Sequence, residues 1–528
     1  MSKSVKRYQQ VLTDEKYSAI IANMSNKFSL RGKKILIFQQ RGWGKGIGRF
    51  LARKLHAEGA KLAALTFKDT THELIVSQPD VKYEYIFFGD DIMRNPQEYL
   101  AGDSYSLKDI CYELGVSSIW PLVACMRLYV KSYGDKYYYG FKQNVSDEHI
   151  VDYVMAIYKN IRYFFEKFKP DIIICPTFVS LPHIMFNLYG LKKNVPMIAI
   201  TDSKIQGHFI FVEGYQYDRG QFFDRVDILN SHTEETPNRE RARRYINEFR
   251  SNFKIPTYAD KYITQNKKTL LQKIKRELSP IKQIALWYIK RPKDILRLGP
   301  TYEYRPPRII LRDHICEKRY KKFMDTYKYY PFDKIKKYAY FPLQFQPEET
   351  IDVRAPYFAN QIETARLVAM SLPDDYTLVV KEHPGMIGKR PPSYIEKVAR
   401  TVNVKLIDYR IPTEKVLKGA TLVISPSSTT IAEAAFLKIP AIQLGDLGTT
   451  LKLPNVTHHT DMTTLSKKIR GVISNSLETD EYERRLENYV AAVFDTGFDY
   501  NYIKAWEQNM KDMDELWNIY KNEIKRIL

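Results

Sequence analysis

The chain has few cysteines and no long apolar run. Its four cysteines, Cys111, Cys125, Cys175 and Cys316, form no Cys-x-x-Cys pair, so no zinc site is readable and a reduced, cytoplasmic compartment is favoured. No stretch of about 18 apolar residues occurs, which predicts that no helix spans a membrane. The polar amino terminus lacks a signal-peptide pattern, so any membrane contact is expected to be peripheral.

Acidic residues are also scarce relative to basic ones, with 61 Asp and Glu against 82 Lys and Arg. The net charge of +21 predicts an anionic partner. Residues 261–340 hold 22 basic and 7 acidic side chains. Apolar residues from Leu270 to Ile281 recur there at helical spacing, which favours an amphipathic helix at an anionic membrane over base stacking. Pro280 is expected to limit that helix to two or three turns. A nucleic-acid site and a solvated charged face are the alternatives.

Short apolar runs alternate with helical segments in two parts of the chain, which predicts two parallel α/β units. The apolar run Val226–Leu229 is one of the predicted strands. The predicted organisation is a leading helix over 1–30, a Rossmann-like domain over 31–235, a basic, aromatic-rich helical insert over 236–335, a second Rossmann-like domain over 336–464 and C-terminal helices over 465–528.

A glycine-rich segment follows the first predicted strand and opens a helix. Backbone N–H groups in that position can cradle an anion. The segment resembles the cofactor loop of short-chain dehydrogenases, but the Tyr-x-x-x-Lys pair of that family is missing. A cofactor site, an acceptor-side loop and a tight turn without a ligand all stay open. The residues concerned are Arg41, Gly42, Gly44, Lys45 and Gly46.

A His-Pro pair follows the predicted strand Thr377–Lys381. Ligands of open α/β sheets bind at the carboxyl ends of strands. Pro384 restricts the backbone of His383, and the imidazole with nearby Lys381 suits a phosphate oxygen. A structural role for His383 is the alternative.

A hydroxyl-rich turn, Ser427, Ser428 and Thr429, lies between the predicted strand Leu422–Ser425 and a helix. Hydroxyl groups and free N–H groups at a helix amino terminus make an anion site. Glu433 follows one turn later, where it either accepts hydrogen bonds from ribose hydroxyls or completes a capping box with Thr430.

Three stretches, Phe341–Glu348, Lys381–Pro384 and Ser427–Ala434, precede Ile439-Pro440 and Gly445. In this order they resemble the bacterial capsule polysaccharide biosynthesis family, which includes transferases of Kdo, an acidic eight-carbon sugar, from a CMP-activated donor. The His-Pro and Ser-Ser pairs are also similar to those of bacterial CMP-sialic acid transferases. The resemblance covers about 340–450, and the amino-terminal half resembles the family only in outline.

The resemblance implies a GT-B fold, in which two Rossmann-like domains face each other across a cleft. The C-terminal domain would hold the nucleotide-sugar donor and the N-terminal domain a glycan or lipid-linked acceptor. His383, Ser427 and Ser428 would hold the CMP phosphate, and Glu433 would lie near the ribose. No metal and no cofactor beyond the CMP-sugar co-substrate are implied, in agreement with the missing Asp-x-Asp signal. A cytoplasmic enzyme at the inner face of the membrane, attached through 261–340 and binding no nucleic acid, is the expectation.

The catalytic carboxylate stays open among Glu213, Asp202 and Glu348, with surface charge as the alternative for each. Two other functions also stay open. One is a CDP-polyol phosphotransferase of the teichoic-acid type, which shares the His-Pro motif and releases CMP. The other is a non-enzymatic, basic nucleic-acid-binding protein.

Overall fold

The computed structural model describes residues 29–126, 145–253, 269–289, 307–508 and 513–528. The leading helix predicted over 1–30 lies outside the described residues, apart from its last two positions. The strands are β1 (Lys34–Gln40), β2 (Lys61–Phe67), β3 (Tyr83–Phe88), β4 (Ile172–Ile174), β5 (Met197–Asp202), β6 (His208–Val212), β7 (Tyr338–Pro342), β8 (Thr377–Lys381), β9 (Val404–Ile407), β10 (Leu422–Ser425), β11 (Ala441–Gln443), β12 (Val456–His458) and β13 (Phe498–Asp499).

These strands form two sheets that follow the same winding rule. The first has the order β13-β6-β5-β4-β1-β2-β3 and the second β12-β11-β10-β7-β8-β9. Strands β1 to β5 are parallel, β6 and β13 are antiparallel additions, and the second sheet is parallel throughout. Numbered within each unit, both sheets show the Rossmann order 3-2-1-4-5-6. The predicted pair of Rossmann-like domains is confirmed.

Helices connect the parallel strands and cover both faces of each sheet. They are α1 (Arg41–Trp43), α2 (Arg49–Ala57), α3 (Asp69–Val76), α4 (Gly89–Arg94), α5 (Pro96–Leu100), α6 (Leu107–Leu114), α7 (Trp120–Val123), α8 (Asp147–Tyr163), α9 (Leu181–Lys192), α10 (Gln221–Asn230), α11 (Arg239–Ser251), α12 (Leu270–Ile289), α13 (Pro307–Thr326), α14 (Glu349–Asp352), α15 (Gln361–Met370), α16 (Pro392–Ala399), α17 (Thr413–Lys418), α18 (Thr429–Phe436), α19 (Leu465–Ser474), α20 (Asp480–Thr496), α21 (Tyr502–Gln508) and α22 (Asp514–Ile527). Across the described ranges, none of these helices is long and apolar enough to cross a membrane.

Three local predictions were wrong. The run Val226–Leu229 is part of helix α10, because its buried side chains recur at helical rather than alternating spacing. The C-terminal helices predicted over 465–528 are interrupted by a short strand, since Phe498–Asp499 pairs with β6. Helix α12 is 20 residues long and continues through Pro280 instead of ending there.

The C-terminal helices pack back onto the first domain. Leu516, Tyr520 and Ile524 of α22 are fully buried in one cluster with Ile35 and Trp43. Helices α11 and α20 link the two domains, and the rings of Phe249 and Phe436 are 4.5 Å apart there. A continuous core therefore runs from the first sheet to helix α18 of the second domain. This packing places the carboxyl end of β5 beside helix α18.

Candidate functional site

The candidate site is built at the carboxyl edge of the second sheet. Strand β7 lies between β8 and β10, and all three run parallel. Their carboxyl ends therefore meet at one edge, where Gln344, His383 and Ser427 follow in turn. Neighbouring strands lie about 4.8 Å apart, so the loops after β8 and β10 are separated by roughly 10 Å.

His383 stands at the start of a short 3-10 turn, Pro384–Met386. Its Nδ1 accepts a hydrogen bond of 3.0 Å from the N–H of Gly385, so the ring proton belongs on Nε2. Burial lowers the pKa of His383 to about 3, and the positive charges of Arg390, Lys389 and Lys381 act in the same direction. The ring is therefore a neutral hydrogen-bond donor at physiological pH. The proposed contact of His383 with phosphate requires no more than that donor.

A buried ion pair fixes the backbone at His383. Arg390 Nη1 donates to Glu382 Oε1 over 2.6 Å, and both side chains are 1% exposed. The same carboxylate oxygen accepts from the N–H of His383 over 2.6 Å. Arg390 Nη2 donates to the carbonyl of Gln344, whose Nε2 donates to Ser425 Oγ at the end of β10. Hydrogen bonds thus connect the loop after β8 with the end of β10. Arg390 was not among the predicted site residues, although a lone Arg shortly after the His-Pro pair was a signal.

Ser428 is the residue that begins helix α18. Its Oγ accepts from the N–H of Thr430 over 3.1 Å, and Ser427 and Ser428 are both buried. The hydroxyl proton of a capping serine is still able to donate to an anion. The capping-box alternative for Glu433 is wrong, because Ser428 rather than Thr430 occupies the cap.

Glu433 and Lys381 are buried close to one another. Burial raises the pKa of Glu433 to about 7, against the opposing effects of Lys381 and the Thr430 hydroxyl. Burial also lowers the pKa of Lys381 to about 8, against the opposing charge of Glu433. Lys381 Nζ donates to the Ile411 carbonyl and the Thr413 hydroxyl, both at 2.9 Å. Lys381 is therefore anchored within the second domain, and its contribution to a phosphate would be its charge.

A small cavity at the domain boundary joins predicted residues of both domains. Asp202 and Lys204 line it from the first domain, and Thr429 and Glu433 from the second. Its volume of about 20 Å³ has room for about one water molecule. Asp202 is thus the candidate carboxylate that the structure brings next to the candidate donor residues. Lys204 lies 3.4 Å from it and balances its charge.

The other two candidate carboxylates have different surroundings. Glu213 forms an ion pair with Arg526 of helix α22. Glu348 is exposed and accepts from the hydroxyl of Thr350 over 3.4 Å. Neither lines the cavity that holds Asp202.

The neighbouring carboxylate Glu349, which was not predicted as a site residue, contacts the first domain instead. It accepts a hydrogen bond from the hydroxyl of Thr177, which follows β4, and pairs with Arg354 over 2.8 Å. The Arg354 guanidinium lies 3.9 Å from the centre of the Tyr217 ring. A Cβ placed on Gly448 would be 3.8 Å from both Arg354 Nη1 and Ser427 Oγ. A buried cation therefore stands beside the serine turn.

The glycine-rich segment is helical and largely buried rather than an open loop. Residues Gly44–Gly48 form a π-helical turn between α1 and α2. A Cβ on Gly48 would lie 2.0 Å from Gln39 Oε1 and 2.7 Å from the ring of fully buried Trp43. Lys45 Nζ donates to Thr70 Oγ1 over 2.5 Å. Close packing accounts for the buried glycines, while Arg41 and Gly42 stay exposed at the edge. An acceptor-side role for Arg41, Gly42, Gly44, Lys45 and Gly46 stays a prediction.

Among the residues that the structure describes, no group of three or more His, Cys, Asp and Glu side chains is arranged to hold a metal ion. Metal independence itself stays a prediction.

Comparisons with known proteins returned structures only. No family model matches the chain, and no curated protein matches it. KpsC of Thermosulfurimonas dismutans, a beta Kdo 2,7 transferase, is 12% identical over 72% of this chain and 90% of its own, with a TM-score of 0.35. The glycosyltransferase of kitacinnamycin is 12% identical over 91% of this chain and 100% of its own, with a TM-score of 0.26.

A protein of Listeria monocytogenes described as a putative UDP-N-acetylglucosamine 2-epimerase is 9% identical. That match covers 87% of this chain and 94% of its own, with a TM-score of 0.23. At these values the matches do not bear on activity, and the fold assignment depends on the strand orders of the two sheets.

Proposed function

We propose that this protein is a glycosyltransferase that moves a sugar from a CMP-activated donor to a capsule or surface-polysaccharide acceptor. One observation carries the proposal. A neutral imidazole donor, His383, and the serine turn that begins α18 stand at the same edge of the second sheet, and Asp202 of the first domain shares a cavity with that turn's Thr429. The motif resemblance then favours CMP as the nucleotide of the donor and Kdo or another acidic sugar as the transferred group.

The residues divide the chemistry between the two domains. His383, Ser427 and Ser428 would donate hydrogen bonds to the phosphate of the leaving CMP, and buried Lys381 would add positive charge nearby. Such preorganised donors stabilise a departing phosphate without a metal ion. Glu433 would accept hydrogen bonds from the ribose.

Asp202 is the preferred base for the acceptor hydroxyl. It projects from the end of β5 towards the domain boundary and is half-buried. A general base needs to reach the acceptor oxygen directly or through one water molecule, and the cavity beside Asp202 leaves that room.

A thermal-shift comparison of CMP, UMP, GMP and AMP at equal concentration tests the nucleotide assignment. A ligand at 100 times its Kd stabilises the fold by about 2.7 kcal/mol, so specific binding is readily measured. We expect CMP to raise Tm more than the other three. Equal shifts, or no shift with any of them, would remove the CMP-sugar donor from the proposal.

Donor turnover separates the proposal from the polyol phosphotransferase. CMP release from CMP-Kdo with acceptor present is the expected result. CMP release from CDP-glycerol but not from CMP-Kdo would instead identify the protein as a polyol phosphotransferase.

A further inference from the structure

Helix α12 presents an apolar stripe to solvent. Seven large apolar side chains on it are between 46% and 76% exposed: Leu270, Leu271, Ile274, Leu278, Ile281, Tyr288 and Ile289. At about 100° per residue, all seven fall within a sector of roughly 100°. Exposed apolar residues scattered at random would not share one face, so the stripe is a single surface about 30 Å long.

The other side of α12 is anchored to helix α13. Arg276 pairs with Glu317 over 2.6 Å, and Glu277 pairs with Lys318 and with His314. Pro280, which is buried, lies on this anchored side. Helix α13 in turn is held by the second domain through Met324, which is part of that domain's core. The ion pairs therefore fix α12 with its stripe pointing away from α13.

The charges around the stripe select the kind of partner. Lys275 and Lys282 border one edge of the stripe, and both are exposed. Glu277, at the other edge, is the acidic residue of α12 and is already neutralised by Lys318. Between residues 261 and 300 the sequence holds 11 basic and 2 acidic side chains. An apolar face bordered by lysines matches the interface of an anionic lipid bilayer.

We propose that helix α12 lies flat in the surface of an anionic membrane, with the apolar stripe inserted among the lipid headgroups and Lys275 and Lys282 at the phosphate level. Long lysine side chains can reach the headgroups while their apolar stems pack beside the stripe. The structure refines the sequence expectation in one respect. The continuous helix doubles the inserted length, since the stripe extends past Pro280 to Ile289. This proposal involves no nucleotide, so it stands or falls independently of the proposed activity.

Co-sedimentation of the full chain with vesicles tests the proposal. The vesicles are phosphatidylcholine alone, or phosphatidylcholine with 30% phosphatidylglycerol, each at low and high NaCl. We expect sedimentation with the anionic vesicles at low salt and release at high salt. The variant Leu271→Glu, Ile274→Glu and Leu278→Glu should partition at least tenfold more weakly.

A matched control introduces the same three charges at exposed apolar positions on other helices and loops, Val76→Glu, Met370→Glu and Val402→Glu. It should sediment like the unchanged protein. The variant Lys275→Gln and Lys282→Gln leaves the stripe intact and should bind anionic vesicles about fivefold more weakly for each lysine removed.

Three results would overturn the proposal: no sedimentation of the unchanged chain with anionic vesicles at low salt, equal sedimentation of the stripe variant and its control, or conversion of an oligomer to a monomer by the stripe variant without any vesicle binding. The last would assign the stripe to a second copy of the chain. If the stripe variant fails to fold, the lysine variant still decides, because its substitutions are exposed.

Discussion

The glycine-rich segment after β1 and the serine turn after β10 show how one pattern can have two structural meanings. Each follows a parallel strand and opens a helix, which is the context of an anion site. In the first, Trp43 and Gln39 fill the space above the glycines. In the second, Thr429 lines a small cavity shared with the other domain, which has room for about one water molecule. A strand, a turn and a helix therefore define a possible site, and the neighbouring side chains decide whether a ligand can enter.

Gly48→Ala tests whether close packing explains the glycine-rich segment, and it should lower the free energy of unfolding more than any other substitution considered. The added methyl group would overlap Gln39 Oε1 and the Trp43 ring, and both groups are buried. Overpacking of this kind costs up to about 3 kcal/mol. Chemical denaturation measures the free energy of unfolding.

Gly471→Ala is the matched control for that substitution. A Cβ at Gly471 meets no atom within 4 Å, and the residue lies inside helix α19. Alanine there should stabilise the protein by about 0.5–1 kcal/mol. If both substitutions gave the same small change, close packing would not explain the glycine at position 48.

His383→Ala tests the second half of the comparison through activity. Loss of one hydrogen bond to a charged leaving group costs roughly 1.5–3 kcal/mol, so kcat should fall at least about tenfold. The ring is neutral above about pH 3, so the loss should be similar across ordinary assay pH. Exposed His458 supplies the control, His458→Ala, which should keep full activity. Unchanged kinetics in a folded His383→Ala protein would make His383 structural.

Much of the second domain was predictable from the sequence, but the residues of the first domain that contact it were not. The bounds of β8, β9 and β10 follow from short apolar runs between turn residues. The run at 226–229 gave the wrong element because four apolar residues cannot separate a strand from a helix. Its helical reading was available from Phe222 and Phe223 one turn earlier, which are buried on the same face.

The neighbours of the site residues were the part that the sequence could not supply. Arg354 packs on Tyr217 and lies beside Gly448 together with Ser427, although these residues are far apart in the chain. Likewise, Asp202 and Glu433 line the same cavity only because α11 and α20 hold the domains together. Such contacts depend on tertiary packing, which no local pattern of residue types records.

The smallest expected effect concerns the charge of Glu433. Its pKa is raised to about 7 by burial, so it binds a proton more readily in the folded protein than in the unfolded chain. The stability that this proton contributes is present below about pH 4.5 and is lost as pH rises through 7. Ribose binding should have the opposite dependence, because a carboxylate accepts hydroxyl hydrogen bonds more strongly than a neutral acid does.

We therefore expect CMP affinity to fall about fivefold between pH 8 and pH 6, beyond the titration of CMP itself. Isothermal titration calorimetry of Glu433→Gln separates the two contributions, since its amide stays neutral while the CMP phosphate still titrates. Lys381 and Tyr340 face Glu433 and are present in both proteins. The same pH dependence in both would show that Glu433 does not contact the ribose, and would leave the serine turn and His383 as the nucleotide-binding groups.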